Sequence, residues 1–154
     1  MIGRMEDKGR YNNYVRALIQ KGPENLKYLG AQPFDKVNAE ISTSDLLVYT
    51  STEMEGFGNS LIQAWMRGVP TLSLNYDPDK IIEREHIGFC ARDFSDLREA
   101  ARTLIDNPAT LSEMGQRARM YAETAHDCHQ MVSKYDVLFR ELVARRNIGP
   151  QAGF

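Results

Sequence analysis

The sequence TSTEMEGFGNSLIQA, residues 50–64, decides the fold of this chain. It begins at the end of an apolar run, residues 45–50, which has the length and composition of a parallel strand buried on both faces. Two glycines then mark a turn, and Asn59 or Ser60 is a suitable N-cap for a helix that ends near Arg67. A strand, a glycine turn and a helix in this order indicate one unit of a parallel α/β sheet.

Strands and helices alternate on both sides of this turn. Further apolar runs of strand length lie at residues 26–29, 70–74 and 87–91. Helical patterns cover residues 10–20, 33–41 and 79–85, and then residues 96–106, 108–124 and 128–146 without intervening strands. This order predicts an α/β fold, namely a Rossmann-like parallel sheet flanked by helices, with an all-helical C-terminal extension.

The composition excludes several classes of protein. The 154 residues are 42% hydrophobic and 26% charged with a net charge of −2, as in an ordinary globular domain. Residues 33–100 carry twelve acidic and six basic side chains, whereas a nucleic-acid-binding protein would present a basic face. The chain has two cysteines, too few for a disulfide scaffold, and neither a signal-peptide core nor an apolar run of membrane-spanning length. We therefore expect a cytoplasmic protein with no nucleic-acid partner and no membrane span.

The glycine turn has the chemistry of a ligand site. Ligands of open α/β sheets bind beyond the carboxyl ends of the strands, where a helix N-terminus offers free N–H groups. Glu55 stands at the mouth of such a site and can accept hydrogen bonds from vicinal hydroxyls, and Gln63 lies one helical turn past Asn59. The turn is neither a Walker loop nor a dinucleotide-binding fingerprint. A strand–glycine–helix turn is also common packing chemistry, so spacing alone leaves both interpretations open.

The sequence EGFGNSLIQAWMRGVP, residues 55–70, resembles the signature of the group 1 retaining glycosyltransferases, in which two glutamates flank seven other residues. Other segments are similar to the donor-binding half of that family, namely residues 25–30, 44–51 and 87–91. Shorter matches lie at residues 107–108, 114–115 and 117–119. The resemblance covers roughly residues 1–140. It implies the C-terminal half of a GT-B fold, which binds a nucleoside diphosphate sugar.

The resemblance implies a role for each residue of the motif. Glu55 would be the catalytic residue and would hold hydroxyls of the donor hexose, which passes to a hydroxyl acceptor with retention. Gly30 would line the base pocket. The remaining donor-binding residues would follow the sugar, the diphosphate and the ribose: Gly56, Phe57, Gly58, Asn59, Ser60 and Gln63. No metal and no cofactor is implied besides the nucleotide-sugar substrate, and the family builds cell-surface polysaccharides and other glycans.

The sequence departs from the family pattern in two respects. Gln63 replaces the second glutamate and lacks its charge-assisted hydrogen bond to the ribose. On the best registration the first strand and helix of the donor domain, with their arginine and lysine, are missing, as is the acceptor-binding N-terminal domain. We therefore expect a donor domain at residues 1–125, a C-terminal helix at 126–146 and a frayed tail at 147–154. Such a chain needs an N-terminal domain or a partner chain, or self-associates.

The sequence leaves two other functions open. The chain could be a non-catalytic, truncated transferase module that acts in protein–protein interaction, or half of a nucleotide-sugar epimerase, which shares the fold but not the turn at residues 55–58. Residues 75–79 replace the family's glycine-rich loop at a strand end and suit either a ligand contact or a plain turn. Residues 126–129, with two histidines and a cysteine, have no metal-site spacing, and Asp127 is better placed as a helix N-cap.

Overall fold

The computed structural model describes residues 9–51 and 56–147. The chain divides into two compact units at the boundary between Ser44 and Asp45. The first unit contains two helices, α1 (Arg10–Gln20) and α2 (Phe34–Ser42). The second unit contains the sheet and the remaining helices, including the helix of the glycine motif.

The helices of the first unit end at local signals. Helix α1 ends at Gln20, and Gly22 and Pro23 follow its C-cap Lys21. Helix α2 begins after Pro33, and the Ser44 hydroxyl donates to the carbonyl of Glu40 at 2.8 Å. The predicted strand at residues 26–29 is wrong. A strand requires a neighbour for its backbone hydrogen bonds, and no strand forms among the described residues of this unit.

The second unit is built on a three-stranded parallel sheet in the order β1 (Leu47–Tyr49), β2 (Thr71–Leu74), β3 (Gly88–Ala91). Thr71, Leu72 and Ser73 of the central strand are fully buried. Strand β1 is shorter than its apolar run, and its Val48 side chain is 52% exposed. The prediction that residues 45–50 are buried on both faces is therefore wrong, because one face of β1 is left open to solvent.

The core of this unit lies between the sheet and helices α3 (Asn59–Trp65), α4 (Ile81–Arg84) and α6 (Pro108–Ala125). Trp65 is completely buried, and its indole N–H donates to the Thr71 hydroxyl at 3.0 Å. Helix α6 passes so close to the end of α3 that a Cβ on Gly115 would collide with the carbonyl oxygen of Gly68. The small residue at 115 therefore sets the distance between these two helices.

Two aspartates start the C-terminal helices. Asp93 caps α5 (Phe94–Ile105), where its carboxylate accepts hydrogen bonds from the N–H groups of Ser95 and Asp96. Asp127 precedes α7 (Cys128–Asn147), and its Oδ1 accepts from the His129 N–H at 2.8 Å, which confirms the predicted N-cap. A parallel sheet flanked by helices and followed by a long helix confirms the predicted fold class.

The predicted division at residues 125 and 146 stays a prediction, and the predicted tail lies outside the described residues except for Asn147. Within the described ranges, no helix combines the length and apolar character needed to cross a bilayer.

Candidate ligand site at the carboxyl edge of the sheet

The glycine turn is fixed to the loop that follows the neighbouring strand. Gly56 has a φ of 64°, a left-handed conformation that favours glycine. Its carbonyl accepts a hydrogen bond from the hydroxyl of Tyr76, which is buried in the loop after β2. This bond joins the turn after β1 to the loop after β2 at the carboxyl edge of the sheet.

Gly58 is required for a different reason. Its φ is −70°, so its backbone suits any residue. A Cβ at this position would collide with the hydroxyl of Tyr49 and lie 3.0 Å from the ring carbon Cζ. Tyr49 ends β1, is 6% exposed and packs against Tyr76 with ring centroids 5.7 Å apart. The turn at Gly58 therefore packs directly on the buried ring of Tyr49.

Phe57 anchors the turn from the other side through an aromatic cluster formed by Phe57, Trp65, Tyr121 and His126. The Phe57 ring lies 5.9 Å from that of Trp65 and 5.6 Å from that of His126, and Tyr121 contacts both Trp65 and His126. Burial lowers the pKa of His126 from its usual value, and its Nε2 has no hydrogen-bond partner among the described residues. The imidazole therefore packs as a neutral ring, and the turn is joined to the C-terminal end of α6.

Helix α3 begins at Asn59, where the sequence predicted it, but its N-cap differs. Gly58 is its N-cap and makes no side-chain capping bond, so the prediction of an Asn59 or Ser60 cap is wrong. Its carbonyl accepts from the Leu61 N–H at 3.0 Å. Asn59 is exposed and Ser60 is half-buried at the start of the helix.

The structure brings together the predicted donor residues of the motif on the turn and on α3: Gly56, Phe57, Gly58, Asn59, Ser60 and Gln63. Gln63 is half-buried, one helical turn after Asn59. Gly30 belongs to the first unit, where it has a φ of 67° and a Cβ added to it would meet no atom within 4 Å. Glu55 lies outside the described residues.

An open crevice of about 410 Å³ lies at the carboxyl ends of all three strands, and we call it the strand-end crevice. Its lining combines hydroxyl, amide, charged and aromatic side chains from Thr50, Ser51, Leu74, Asn75, Arg92, Asp93 and Phe94. Asn75 has a φ of 54°, and its N–H donates to the Ala91 carbonyl at 2.6 Å. Strained backbone of this kind is frequent at functional sites.

Arg92 is the single cationic residue of the crevice lining that the structure describes. Its Nε–H donates to the Asp96 carboxylate at 3.1 Å, and its backbone N–H donates to the same oxygen at 3.0 Å. These two bonds, the backbone one first, lower the pKa of Asp96. They fix the base of the guanidinium while its terminal nitrogens have no described partner. Sequence reasoning missed Arg92, whose signal was its position directly after a predicted strand.

The loop at residues 75–79 serves both uses that the sequence left open. Asn75 borders the strand-end crevice. Asp77 is structural, since its carboxylate accepts hydrogen bonds from the N–H groups of Ile82 and Glu83 at the start of α4.

Burial, followed by the charge of Asp77, raises the pKa of the half-buried Cys90 thiol and so disfavours the reactive thiolate.

Potential metal ligands do not gather in the part of the chain that the structure describes. Across residues 9–51 and 56–147, no three histidine, cysteine, aspartate or glutamate side chains come close enough to hold an ion. His126 in particular contributes its ring to the aromatic cluster.

Comparison with known proteins places these features in context. The sequence profile of the family described as glycosyl transferases group 1 matches residues 1–121. An uncharacterized glycosyltransferase of Methanocaldococcus jannaschii is 23% identical over 93% of this chain, which spans 36% of that protein. An exopolysaccharide phosphotransferase of Streptomyces coelicolor is 28% identical over 80% of this chain and 13% of its own length.

A solved structure shows the same fold. Sucrose-phosphate synthase from Thermosynechococcus elongatus superposes with a TM-score of 0.76 at 18% identity, over 94% of this chain and 38% of its own. This likeness confirms the predicted GT-B type of fold. The chain thus spans 36% and 13% of the length of the two relatives and 38% of that of sucrose-phosphate synthase.

Proposed function

Since the chain belongs to the glycosyl transferases group 1 family, we propose that the unit beginning at Asp45 binds the nucleotide-sugar donor of a hexosyl transfer. The observation that carries this proposal is that the glycine turn and the strand-end crevice both lie at the carboxyl edge of the sheet, where Tyr76 of the loop after β2 bonds to Gly56 and the ends of all three strands line the crevice. Ligands of parallel α/β sheets bind at this edge. The donor is a nucleoside diphosphate hexose, and the acceptor is a hydroxyl group.

The reaction needs stabilisation of a leaving diphosphate. The bond from the anomeric carbon to the diphosphate oxygen breaks, and a new bond forms to the acceptor oxygen on the same face of the sugar. The departing diphosphate oxygen keeps the electron pair of the broken bond and takes up the proton of the acceptor hydroxyl. Donors fixed in advance stabilise such developing charge, and the turn is held by its contacts with Tyr49, Tyr76 and the aromatic cluster.

Each side chain then has a defined task. The carboxylate of Glu55 holds sugar hydroxyls, and the turn from Gly56 to Ser60 directs backbone N–H groups at the sugar and the phosphates. Gln63 accepts from one ribose hydroxyl and donates to the other, because an amide has both functions. We add Arg92, whose terminal guanidinium nitrogens supply a positive charge to the anionic ligand at the crevice.

The acceptor is proposed by its chemical class alone, a hydroxyl compound. A distant relative is an exopolysaccharide phosphotransferase, which supports a role in polysaccharide biosynthesis. The chain spans 36% of the length of the relative from Methanocaldococcus jannaschii. We propose that acceptor binding is provided by an N-terminal domain or by a partner chain.

The second candidate function is that of a non-catalytic interaction module, which the exposed apolar side chains of α7 favour.

Nucleotide-dependent thermal stabilisation tests donor binding. Unfolding is followed with UDP, GDP or ADP at millimolar concentration, and then with the corresponding nucleotide hexoses. At about ten times its dissociation constant, a nucleotide stabilises the protein by about 1.4 kcal/mol, which raises Tm by about 3–6 °C. If none of the three nucleotides changes Tm, the donor-site proposal fails and the interaction module is preferred.

Matched variants locate the site. Arg92→Gln should weaken nucleotide binding about tenfold, the equivalent of about 1.4 kcal/mol. Arg98→Gln, a change at another exposed arginine, on α5, should leave the affinity unchanged. Glu55→Gln should remove the extra affinity of a nucleotide hexose over the bare nucleotide, because it changes only the sugar contact. Equal affinities in the Arg92 and Arg98 variants would remove Arg92 from the site.

A further inference from the structure

The ion pair between Arg92 and Asp96 differs from the other arginine–carboxylate pairs in the described part of the chain. Four of the others each lie within one helix, in α6 or α7. Arg92 instead follows strand β3, whereas Asp96 belongs to the first turn of α5. A single carboxylate oxygen, Oδ2 of Asp96, accepts from both the backbone N–H and the side-chain Nε–H of Arg92. The same atom therefore holds the main chain and the guanidinium of the arginine.

Asp96 is itself held by the fold. Its backbone N–H donates to the carboxylate of Asp93 at 2.9 Å, and α5 packs against strands β2 and β3. The Asp96 side chain is 20% exposed, whereas that of Arg92 is 89% exposed. A long side chain with that exposure has many rotamers open to it unless a bond selects one. The more rigid partner of the pair thus restricts the more mobile one.

The bond to Asp96 leaves one edge of the guanidinium for a ligand. A guanidinium carries five N–H donors in a planar fork, and its terminal nitrogens, Nη1 and Nη2, form an edge that can bind a phosphate through two parallel hydrogen bonds. Asp96 occupies the Nε–H and none of the terminal donors. Because Arg92 lines the strand-end crevice, the terminal edge is held at the site where the donor is proposed to bind.

We propose that Asp96 is a positioning residue for the donor diphosphate: it fixes the guanidinium of Arg92 so that the terminal edge receives a phosphate group. This inference rests on the proposed donor site and adds a residue that acts on the ligand only through Arg92. Ordering a long side chain during binding costs affinity, and a side chain that is ordered beforehand avoids that cost. The carboxylate thus contributes to affinity although its own charge repels the ligand.

Two other roles for Asp96 predict different outcomes. If the carboxylate acted by charge alone, removing it would strengthen the binding of a polyanion, because like charges repel. If it served only as a local bond at the start of α5, its loss would lower Tm and leave the affinity unchanged. Positioning predicts weaker binding after Asp96→Asn, since a neutral amide oxygen is a poorer acceptor for a guanidinium than a carboxylate is. The sign of the affinity change therefore distinguishes the three roles.

Titration calorimetry of the full chain measures this sign. The probes are inorganic pyrophosphate and whichever of UDP, GDP and ADP binds most tightly. Asp96→Asn should raise both dissociation constants about threefold. Glu123→Gln, which weakens the same kind of pair with Arg119 on α6, should change neither. Once Arg92→Gln is present, Asp96→Asn should have no further effect. An unchanged or lowered dissociation constant in Asp96→Asn, or an equal loss with and without Arg92, overturns the proposal.

Nuclear magnetic resonance of the ligand-free protein gives a second, independent measurement. The Nε–H of Arg92 should exchange with water more slowly than that of the exposed Arg98 on the same helix, and Asp96→Asn should remove the difference. Equal exchange in the unmodified chain overturns the proposal.

The outcomes also separate this inference from the proposed function. Nucleotide binding that ignores Asp96 overturns the positioning role and leaves the donor site standing. Pyrophosphate binding that requires Asp96, without binding of any nucleotide, overturns the donor site and supports the positioning role. If the unmodified chain binds neither probe, both proposals fail.

Discussion

Replacing Gly58 with alanine tests whether the glycine turn is shaped by its approach to Tyr49. The φ of −70° at Gly58 suits alanine, so the change carries no backbone penalty of its own. The new Cβ would collide with the Tyr49 hydroxyl and lie 3.0 Å from Cζ and 3.1 Å from Cε2. Tyr49 is 6% exposed and packs on Tyr76, so its ring cannot turn away without disturbing the core.

The cost follows from this collision. Inserting a methyl group into a packed core lowers the free energy of unfolding by about 1–3 kcal/mol, and we expect about 2 kcal/mol for Gly58→Ala. At about 2–4 °C per kcal/mol for a chain of this size, Tm falls by about 4–8 °C. Tyr49→Phe removes the atom nearest to the new methyl group. Because the hydroxyl has no hydrogen-bond partner among the described residues, its loss alone should cost less than about 0.5 kcal/mol.

A double-mutant cycle measures the contact. Urea and thermal unfolding of the four combinations at residues 49 and 58 should give a coupling energy of about 1 kcal/mol, with Tyr49→Phe recovering about half of the loss. Gly56→Ala is the matched control. It strains a φ of 64° but meets no atom within 4 Å of the new Cβ, so Tyr49→Phe should not rescue it. If the effects at residues 49 and 58 are simply additive, the proposed contact does not shape the turn.

Three further predictions follow from the core. Gly115→Ala should lower the free energy of unfolding by about 3 kcal/mol, measured by urea unfolding, because its Cβ meets the backbone carbonyl of Gly68 rather than a movable side chain. Thr71→Val should cost about 2 kcal/mol, followed by tryptophan fluorescence, because the Trp65 indole N–H loses its acceptor. The lowered pKa of His126 means that folding favours the neutral ring. The stabilisation that the folded protein gains from the neutral His126 ring is complete above the pKa of the unfolded chain, about 6.5. It is lost as the pH falls to the lower pKa of His126 in the folded protein. The acid-side fall of Tm should therefore be smaller in His126→Phe than in the unmodified chain.

Local signals predicted most of the helices and strands. The predicted helix at residues 10–20 has the bounds of α1, and the helix predicted at 108–124 differs from α6 by one residue. Glycine and proline punctuation and long apolar periodicity determine such elements locally. The strand predicted at residues 26–29 failed because pairing with a distant strand, rather than apolar composition, makes a strand.

The site could be predicted only as far as its motif extends. The motif correctly located the turn after β1 and the helix that follows it. The contact of Phe57 with His126 joins residues far apart in the sequence, so no local sequence pattern predicts it. Arg92 likewise becomes a candidate site residue only in the folded protein, where three strand ends line one crevice. Contacts distant in sequence therefore account for what the motif could not predict.

The two glycines and the phenylalanine between them have different physical tasks. Gly56 supplies a left-handed backbone whose carbonyl faces the Tyr76 hydroxyl, and Gly58 lets the chain cross the buried Tyr49 ring. Phe57 fills the space beside Trp65. Phe57 is the one side chain among these three residues and its ring packs in the aromatic cluster, so what they can offer a ligand is their backbone N–H groups. Fixing those groups in the folded protein removes the entropy cost of ordering them on binding. For this reason, substitutions that loosen the turn should weaken nucleotide affinity as well as stability.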